Sequence, residues 1–229
     1  MQIETGLTLS QIVSNDFRAA RVFERHGLDF CCKGKRPLAD ACSEKGIDPG
    51  TLIAELENAT AAPDAAPNFD SFGLSELAGY IQRVHHTYVK VNGPQVAHYL
   101  ARVASKHGDR LPYIIEVYHL FAELLEGLTE HMQKEEQVLF PRIRLVEAGS
   151  LAGSAISGPV AVMESEHDRA GTLTAKIRQL TKDYTAPEGA CTTHRMAIAA
   201  LGDFAQDLHR HVHLENNLLF PKAAAYPQS

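Results

Sequence analysis

His131-Met-Gln-Lys-Glu135-Glu-Gln-Val-Leu-Phe-Pro141 and His211-Val-His-Leu-Glu215-Asn-Asn-Leu-Leu-Phe-Pro221 are two copies of one pattern. In each, a His stands four residues before a Glu, and Leu-Phe-Pro follows. Residues i and i+4 of a helix share a face, about 6 Å apart along the axis. Each copy therefore aims an imidazole and a carboxylate the same way. The positions that match are His131/His211, Glu135/Glu215, Leu139/Leu219, Phe140/Phe220 and Pro141/Pro221. Glu136 faces Asn216 in this comparison and is left out of the site on that ground.

Upstream lies a second echo. His85 precedes His131 by 46 residues, and His167 precedes His211 by 44. The repeated unit is a helix with a His, a loop, and a helix with His-x-x-x-Glu. Two such hairpins about a pseudo-two-fold axis would bring His85, His131, His167, His211, Glu135 and Glu215 to one centre. Six N/O donors exceed what one tetrahedral zinc takes. They suit two transition-metal ions bridged by the two carboxylates. Ligand type alone admits Zn, Mn, Fe or Ni. Iron is the expected metal, because two bridging carboxylates and terminal imidazoles leave room for an oxo or hydroxo bridge and one small ligand.

A lone His on a helix is usually a surface or packing residue, and a single His-x-x-x-Glu can be a surface pair. Repetition is what raises these six. His86, about 100° round the helix from His85, is the competing choice, and the repeat count is read as favouring His85. His209 and His213 flank His211 by two residues and are expected on the opposite, solvent face. His26, His98, His107, His119 and His194 have no partner pattern. Glu164, Glu166 and Asp168 surround His167, as charges at a helix start or as outer partners of the site. Tyr88, one turn after His85, lies within reach of it.

The rest of the chain frames this centre. It has 229 residues, a formal charge of −6, 12 His and four Cys. The acidic balance argues against nucleic-acid binding. No run of 18 apolar residues is present, so no membrane span is expected. The N-terminus lacks the basic start and apolar stretch of a leader. Four Cys are no disulfide framework at this length and fit a reducing cytoplasm.

Residues 1–59 read as a small helical module. Thr8 or Ser10 caps a first helix, and Asn15 a second that ends at Gly27. Pro37 opens a third that stops at Gly46, and Asp48-Pro49 opens a fourth. Between the second and third, Cys31-Cys32 is followed by Lys33, Lys35 and Arg36, cations that would favour thiolate. The pair could cycle redox state or contact a partner. Residues 60–72 read as a Pro/Ala linker. Four long helical stretches follow within 73–229: 73–107, kinked near Asn92-Gly93-Pro94; 112–146; 159–183; and 193–219. A flexible small-residue loop is expected at 148–157. No segment alternates like a strand. The fold class is all-α, an up-down-up-down four-helix bundle behind a small helical domain.

Phe30-Cys31-Cys32-Lys-Gly-Lys, Met163-Glu-Ser-Glu-His-Asp-Arg-Ala-Gly171, Ala190-Cys-Thr-Thr193 and the two His-x-x-x-Glu…Leu-Phe-Pro elements together resemble the bacterial iron–sulfur cluster repair di-iron proteins, the Repair of Iron Centres family. The resemblance covers nearly the whole chain. It implies a hemerythrin-like bundle and a non-haem di-iron centre, with four His and two bridging Glu that fall on the same six residues. It implies repair of iron–sulfur clusters after nitrosative or oxidative stress, by iron donation or removal of NO. Damaged iron–sulfur proteins would be the clients, and NO, O₂ or peroxide the small ligands. Cys31 and Cys32 would assist. Gly127, one turn before His131, is a position where a relative can carry a Glu. A hemerythrin-like O₂ or NO carrier or sensor, and a di-iron NO reductase, are the alternatives. Whether the chain is an enzyme, and whether it is a monomer or a homodimer, stay open.

Overall fold

The computed structural model describes residues 3–60 and 67–226. All regular elements among them are helical, apart from one isolated bridge between Thr8 and Pro37. The N-terminal module holds α1 (Leu9–Asn15), α2 (Ala19–His26), α3 (Leu38–Lys45) and α4 (Pro49–Thr60). Thr8 and Gln11 form a capping box at α1, each side chain accepting the other's backbone N–H. Gly27 and Gly46 end α2 and α3 with φ of 64° and 66°, a conformation glycine adopts without a Cβ penalty. Asp48 Oδ2 accepts the Thr51 N–H at 2.8 Å and starts α4.

Two expected boundaries shift. Asn15 ends α1 rather than capping α2. Asp16 instead accepts the Arg18 N–H, and α2 begins at Ala19. Pro37 is the residue before α3, not its first.

The bundle consists of four rods. The first joins α5 (Leu74–Ile81) and α6 (Thr87–His107). The second joins α7 (Pro112–Lys134) and α8 (Phe140–Glu147). The third is α9 (Ser157–Leu180), and the fourth joins α10 (Thr192–Leu214) and α11 (Phe220–Ala224). α6 packs on α7 and α10, and α7 packs on α9. Short connections reverse the chain each time, which gives the up-down-up-down order.

Three rods are interrupted by one wide π turn each, at Gln82–His86, Glu135–Leu139 and Glu215–Leu219. The Phe-Pro pairs explain two of them. Pro141 and Pro221 have no N–H to return to the carbonyl four residues back. The ladder widens just before them, and the Phe140 and Phe220 N–H groups bond five residues back, to Glu135 and Glu215. The helix then continues, so each Phe-Pro marks a widened turn and not a helix end. The kink expected at Asn92–Pro94 is replaced by an unbroken α6. Gly93 serves a different purpose there. A Cβ on it would lie 2.4 Å from Leu125 Cδ1, so its absence lets α7 seat against α6.

Two apolar clusters fill the bundle. One runs along its length through Val96, Leu100, Val117, Phe121, Leu201 and Phe204. The other closes one end with Leu77, Ile81, Phe140, Ile143, Leu214 and Phe220. Phe69 belongs to the second cluster, so the expected 60–72 linker is partly core. Residues 61–66 of that stretch lie outside the described residues. The loop expected to be flexible is packed as well. Ile156 is buried, and a Cβ on Gly153 would meet the Ala223 carbonyl at 2.6 Å.

Phe204 is buried edge-on against Phe121, with centroids 5.0 Å apart. Phe204→Ala should lower the unfolding free energy by about 3–5 kcal/mol, the usual cost of an aromatic-sized core cavity. Urea denaturation of the two proteins checks this.

Candidate metal centre

The π turns place the donors. Glu135 and Glu215 are each the first residue of one, and His131 and His211 stand one α turn before them. The third π turn carries His85 and His86. His167 comes from the unbroken α9. His86, His131, His167, His211, Glu135 and Glu215 are all at most 1 % exposed.

Their atoms form two donor groups that share one carboxylate. His86, Glu135, His211 and Glu215 make one, and His131, His167 and Glu215 the other. Glu135 Oε2 lies 3.2 Å from His86 Nε2 and 3.4 Å from His131 Nε2. Glu215 Oε2 lies 3.1 Å from His167 Nε2, and Glu215 Oε1 lies 2.9 Å from His211 Nε2. Across the hairpins, Glu135 Oε2 lies 4.0 Å from His211 Nε2 and Glu215 Oε2 lies 4.0 Å from His131 Nε2, so each carboxylate reaches imidazoles of both. Yet both Glu135 oxygens, Glu215 Oε2 and His86 Nε2 make no hydrogen bond among the described residues. Their residues each bring an atom within 4.8 Å of the other donor atoms of their groups without satisfying one another's hydrogen bonds. No Lys or Arg forms an ion pair with either carboxylate among the described residues. A buried carboxylate costs several kcal/mol unless a cation meets it. The donor set therefore fits metal ions.

The second nitrogens of the imidazoles are held from outside. His86 Nδ1 lies 2.8 Å from Glu136 Oε1, which also accepts Lys90 Nζ at 2.7 Å. His131 Nδ1 lies 2.9 Å from Glu166 Oε2, whose other oxygen accepts Lys134 Nζ at 2.5 Å. His167 Nδ1 lies 2.8 Å from Asn216 Oδ1. A partner on Nδ1 fixes the tautomer and turns the Nε2 lone pair toward a metal.

Electrostatics follow. Burial would lower the His131 pKa, but the Glu135 and Glu215 carboxylates outweigh it and raise it well above the usual range. Burial would raise Glu215, but His211, His131 and His167 hold it well below an ordinary carboxylate. His211 is lowered, because burial there outweighs Glu215.

One expected ligand is corrected. The structure brings His86, not His85, into the donor set. His85 turns aside, with Nδ1 3.0 Å from Asp207 Oδ1. The pseudo-symmetry agrees with this. Phe140 stacks on His86 as Phe220 stacks on His167, and Glu136 holds His86 as Asn216 holds His167. The separation of His86 from His131 is 45 residues, nearer than 46 to the 44 of the second copy. Excluding Glu136 for lack of identity with Asn216 hid its part as well, since both supply an acceptor oxygen. Tyr88 has its ring against Phe204.

A cleft of about 270 Å³ reaches this centre from one side. Leu128, Glu130, His131, Lys134, Glu166 and His167 are among its walls. Gly127 lines it too, and a Cβ there would meet nothing within 4 Å.

Cys31 and Cys32 lie near α9, with Cys32 beside His167. Their sulfurs are 3.8 Å apart, and Cys32 Sγ is 4.0 Å from the His167 carbonyl. Asp29 Oδ1 accepts the N–H of both cysteines and the Cys31 thiol. The expected thiolate is corrected at Cys31. The Cys32 hydrogen bond, burial and Asp29 push its thiol well above the usual range, while Lys33 stays outside. Asp29, Cys31 and Cys32 also form a third group of donor atoms within 4.8 Å of one another. Cys42 is buried in the module and Cys191 is exposed, beside His107.

His209 and His213 are not on a solvent face. His213 is fully buried, with Nδ1 3.4 Å from the Phe30 carbonyl, and His209 lies edge-on to the Phe30 ring. The N-terminal module covers that side of α10. Arg210 pairs with Glu24 at 3.0 Å, and Asn217 Nδ2 donates to the Cys31 carbonyl at 3.0 Å.

Burial lowers the His213 pKa to about 4. Below pH 6.5 the unfolded chain takes up a proton that folded His213 refuses. Its contribution to stability is therefore complete above pH 6.5 and lost as pH falls toward 4. In metal-free protein, His213→Phe should lose roughly 2–3 kcal/mol less than wild type between pH 7 and 4.5. Urea titrations at the two pH values measure this, and equal losses would contradict it.

Two families match the chain. Residues 79–223 match the hemerythrin HHE cation binding domain, and residues 6–60 match ScdA_N, a domain of unknown function (DUF542). Proteins named iron-sulfur cluster repair protein YtfE are similar over most of the length. Those of Yersinia pseudotuberculosis (serotype O:1b, strain IP 31758) and Yersinia pestis (strain Pestoides F) are 38% and 37% identical over 206 residues, 90% of this chain and 91% of theirs. With its buried His/Glu donors in a four-rod bundle, the chain belongs to the hemerythrin HHE cation-binding family, in the form that carries an N-terminal ScdA_N domain.

Proposed function

We propose that this protein repairs iron–sulfur clusters damaged by nitrosative or oxidative stress, using two iron ions held in the bundle. The observation that carries the reading is the shared donor set: two buried carboxylates, each within 4.0 Å of imidazoles from both hairpins. His86 and His211 would hold one ion, His131 and His167 the other, with Glu135 and Glu215 bridging. Bound iron would supply affinity for NO, O₂ or peroxide, one-electron chemistry and a store of iron to donate.

The chain's own residues do the rest. Glu136, Glu166 and Asn216 orient three of the imidazoles. Phe140 and Phe220 stack on His86 and His167 and keep water from that end. The cleft beside Gly127 gives small ligands, or a departing ion, a path to His131 and His167. Cys31 and Cys32, close to the His167 backbone, fit a redox or client-contact role. The named role of the relatives favours repair over the carrier, sensor and NO-reductase readings. Damaged iron–sulfur proteins are then the clients. No helix among the described residues is long and apolar enough to cross a membrane.

The test is recovery of a hydratase whose [4Fe–4S] cluster has been damaged by NO. Iron-loaded wild type should restore activity, and Glu135→Ala or Glu215→Ala should not. These variants should also hold clearly fewer than two irons per chain, and full retention would sink the bridging assignment. Cys31→Ser combined with Cys32→Ser should keep the iron and weaken repair several-fold. Unchanged repair would return the pair to a packing role.

A further inference from the structure

Three of the four inward imidazoles have an oxygen acceptor on Nδ1; the fourth, His211, has none. Its Nδ1 is buried and has no hydrogen-bond partner among the described residues. The repeat shows what stands at the corresponding place. On α9, the residue before the inward His is Glu166, and it accepts from His131 on the second helical rod of the other hairpin. On the first rod, the residue before the inward His is His85. It lies beside His211, with rings 5.7 Å apart between centroids and 13° from parallel. His85 Nε2 is likewise buried and unpartnered.

From this we infer that His85, held by Asp207, is the positioning residue for His211, in the place that Glu166 takes for His131. His85 donates Nδ1–H to Asp207 Oδ1 at 3.0 Å. That leaves Nε2 of the neutral ring as an acceptor. A single bridging water would carry the His211 Nδ1–H to it, since both atoms are buried and have no other partner among the described residues. His211 Nε2 is then free to bind metal. The Tyr80 ring, 5.9 Å from His85 and T-shaped to it, fixes the ring from the other side. Asp207 and His211 are one turn apart on α10, so one element carries both ends of the chain of contacts.

The two ions would consequently sit in unequal surroundings. His131 is backed by a carboxylate directly, whereas His211 is backed by an imidazole and only then by one.

The inference rests on the two-ion reading, and the test separates their failures. Wild type, His85→Phe, His85→Glu and Asp207→Asn are loaded anaerobically with ferrous iron and titrated with a ferrous chelator. Helix content and melting of the metal-free forms are measured alongside. Wild type that never holds two irons would defeat the two-ion reading before the variants are compared. If His85 acts as an acceptor, His85→Phe, which keeps a ring, should release one of its two irons at about tenfold lower chelator. His85→Glu, which copies Glu166, should hold both as wild type does. Asp207→Asn should move in the direction of His85→Phe. If His85 only packs, the order reverses, with Phe like wild type and Glu impaired. That order, or identical titrations in wild type, His85→Phe and Asp207→Asn, overturns the inference. Should His85→Phe lose its helix content, Asp207→Asn and His85→Glu decide it in the same titration.

Discussion

Everything in this fold turns on two carboxylates placed where water does not reach. Glu135 and Glu215 are fully buried, and four imidazoles surround them instead of Lys or Arg. Removing a carboxylate from water costs several kcal/mol in real proteins. Imidazoles offset part of that by shared protons, as the raised His131 and depressed Glu215 show. Metal cations offset far more. A site of this kind is a poor way to stabilise a bundle and a good way to hold metal, and metal binding at such sites is coupled to folding.

The backbone is bent to this end. A regular α-helix could not hold His-x-x-x-Glu facing inward and also pass a proline six residues after the Glu without losing a hydrogen bond. The π turns at Glu135–Leu139 and Glu215–Leu219 resolve this by moving the carbonyl–amide pairing back by one residue. The first rod carries a third π turn without a Phe-Pro pair, at the point where it delivers His86. Such turns inside α-helices are frequent at functional sites. The outer ring of acceptors then fixes which nitrogen faces inward. The N-terminal module adds a lid on α10, built from Phe30, the Glu24–Arg210 pair and the Asn217 contact to Cys31. That lid brings two thiols close to the backbone of His167, one of the inward donors.

Much of this was legible in sequence. Four-rod architecture follows from the helical stretches and short turns, and five of the six inward donors follow from the repeated His-x-x-x-Glu and His167. The sixth is hidden in the sequence because a π turn falls on His85-His86. Helical periodicity cannot tell which of two adjacent His faces in when the local turn has an extra residue. His209 and His213 were misplaced for a different reason. Opposition to His211 on a helical wheel says which way a side chain points, not whether another module covers that side. Phe69 was hidden inside a Pro/Ala-rich stretch, where one aromatic gives no period. The Cys31 environment depends on Asp29 folding back over the loop, which charge counting through Lys33, Lys35 and Arg36 does not reveal.

Two irons bridged by Glu135 and Glu215 would account for every feature of this site. The most direct measurement is the metal content of anaerobically reconstituted wild type, followed by its ultraviolet–visible spectrum after oxidation. Close to two irons per chain and the near-ultraviolet absorption of a bridged ferric pair are expected. A single zinc, or no metal after reconstitution, would contradict the two-iron site.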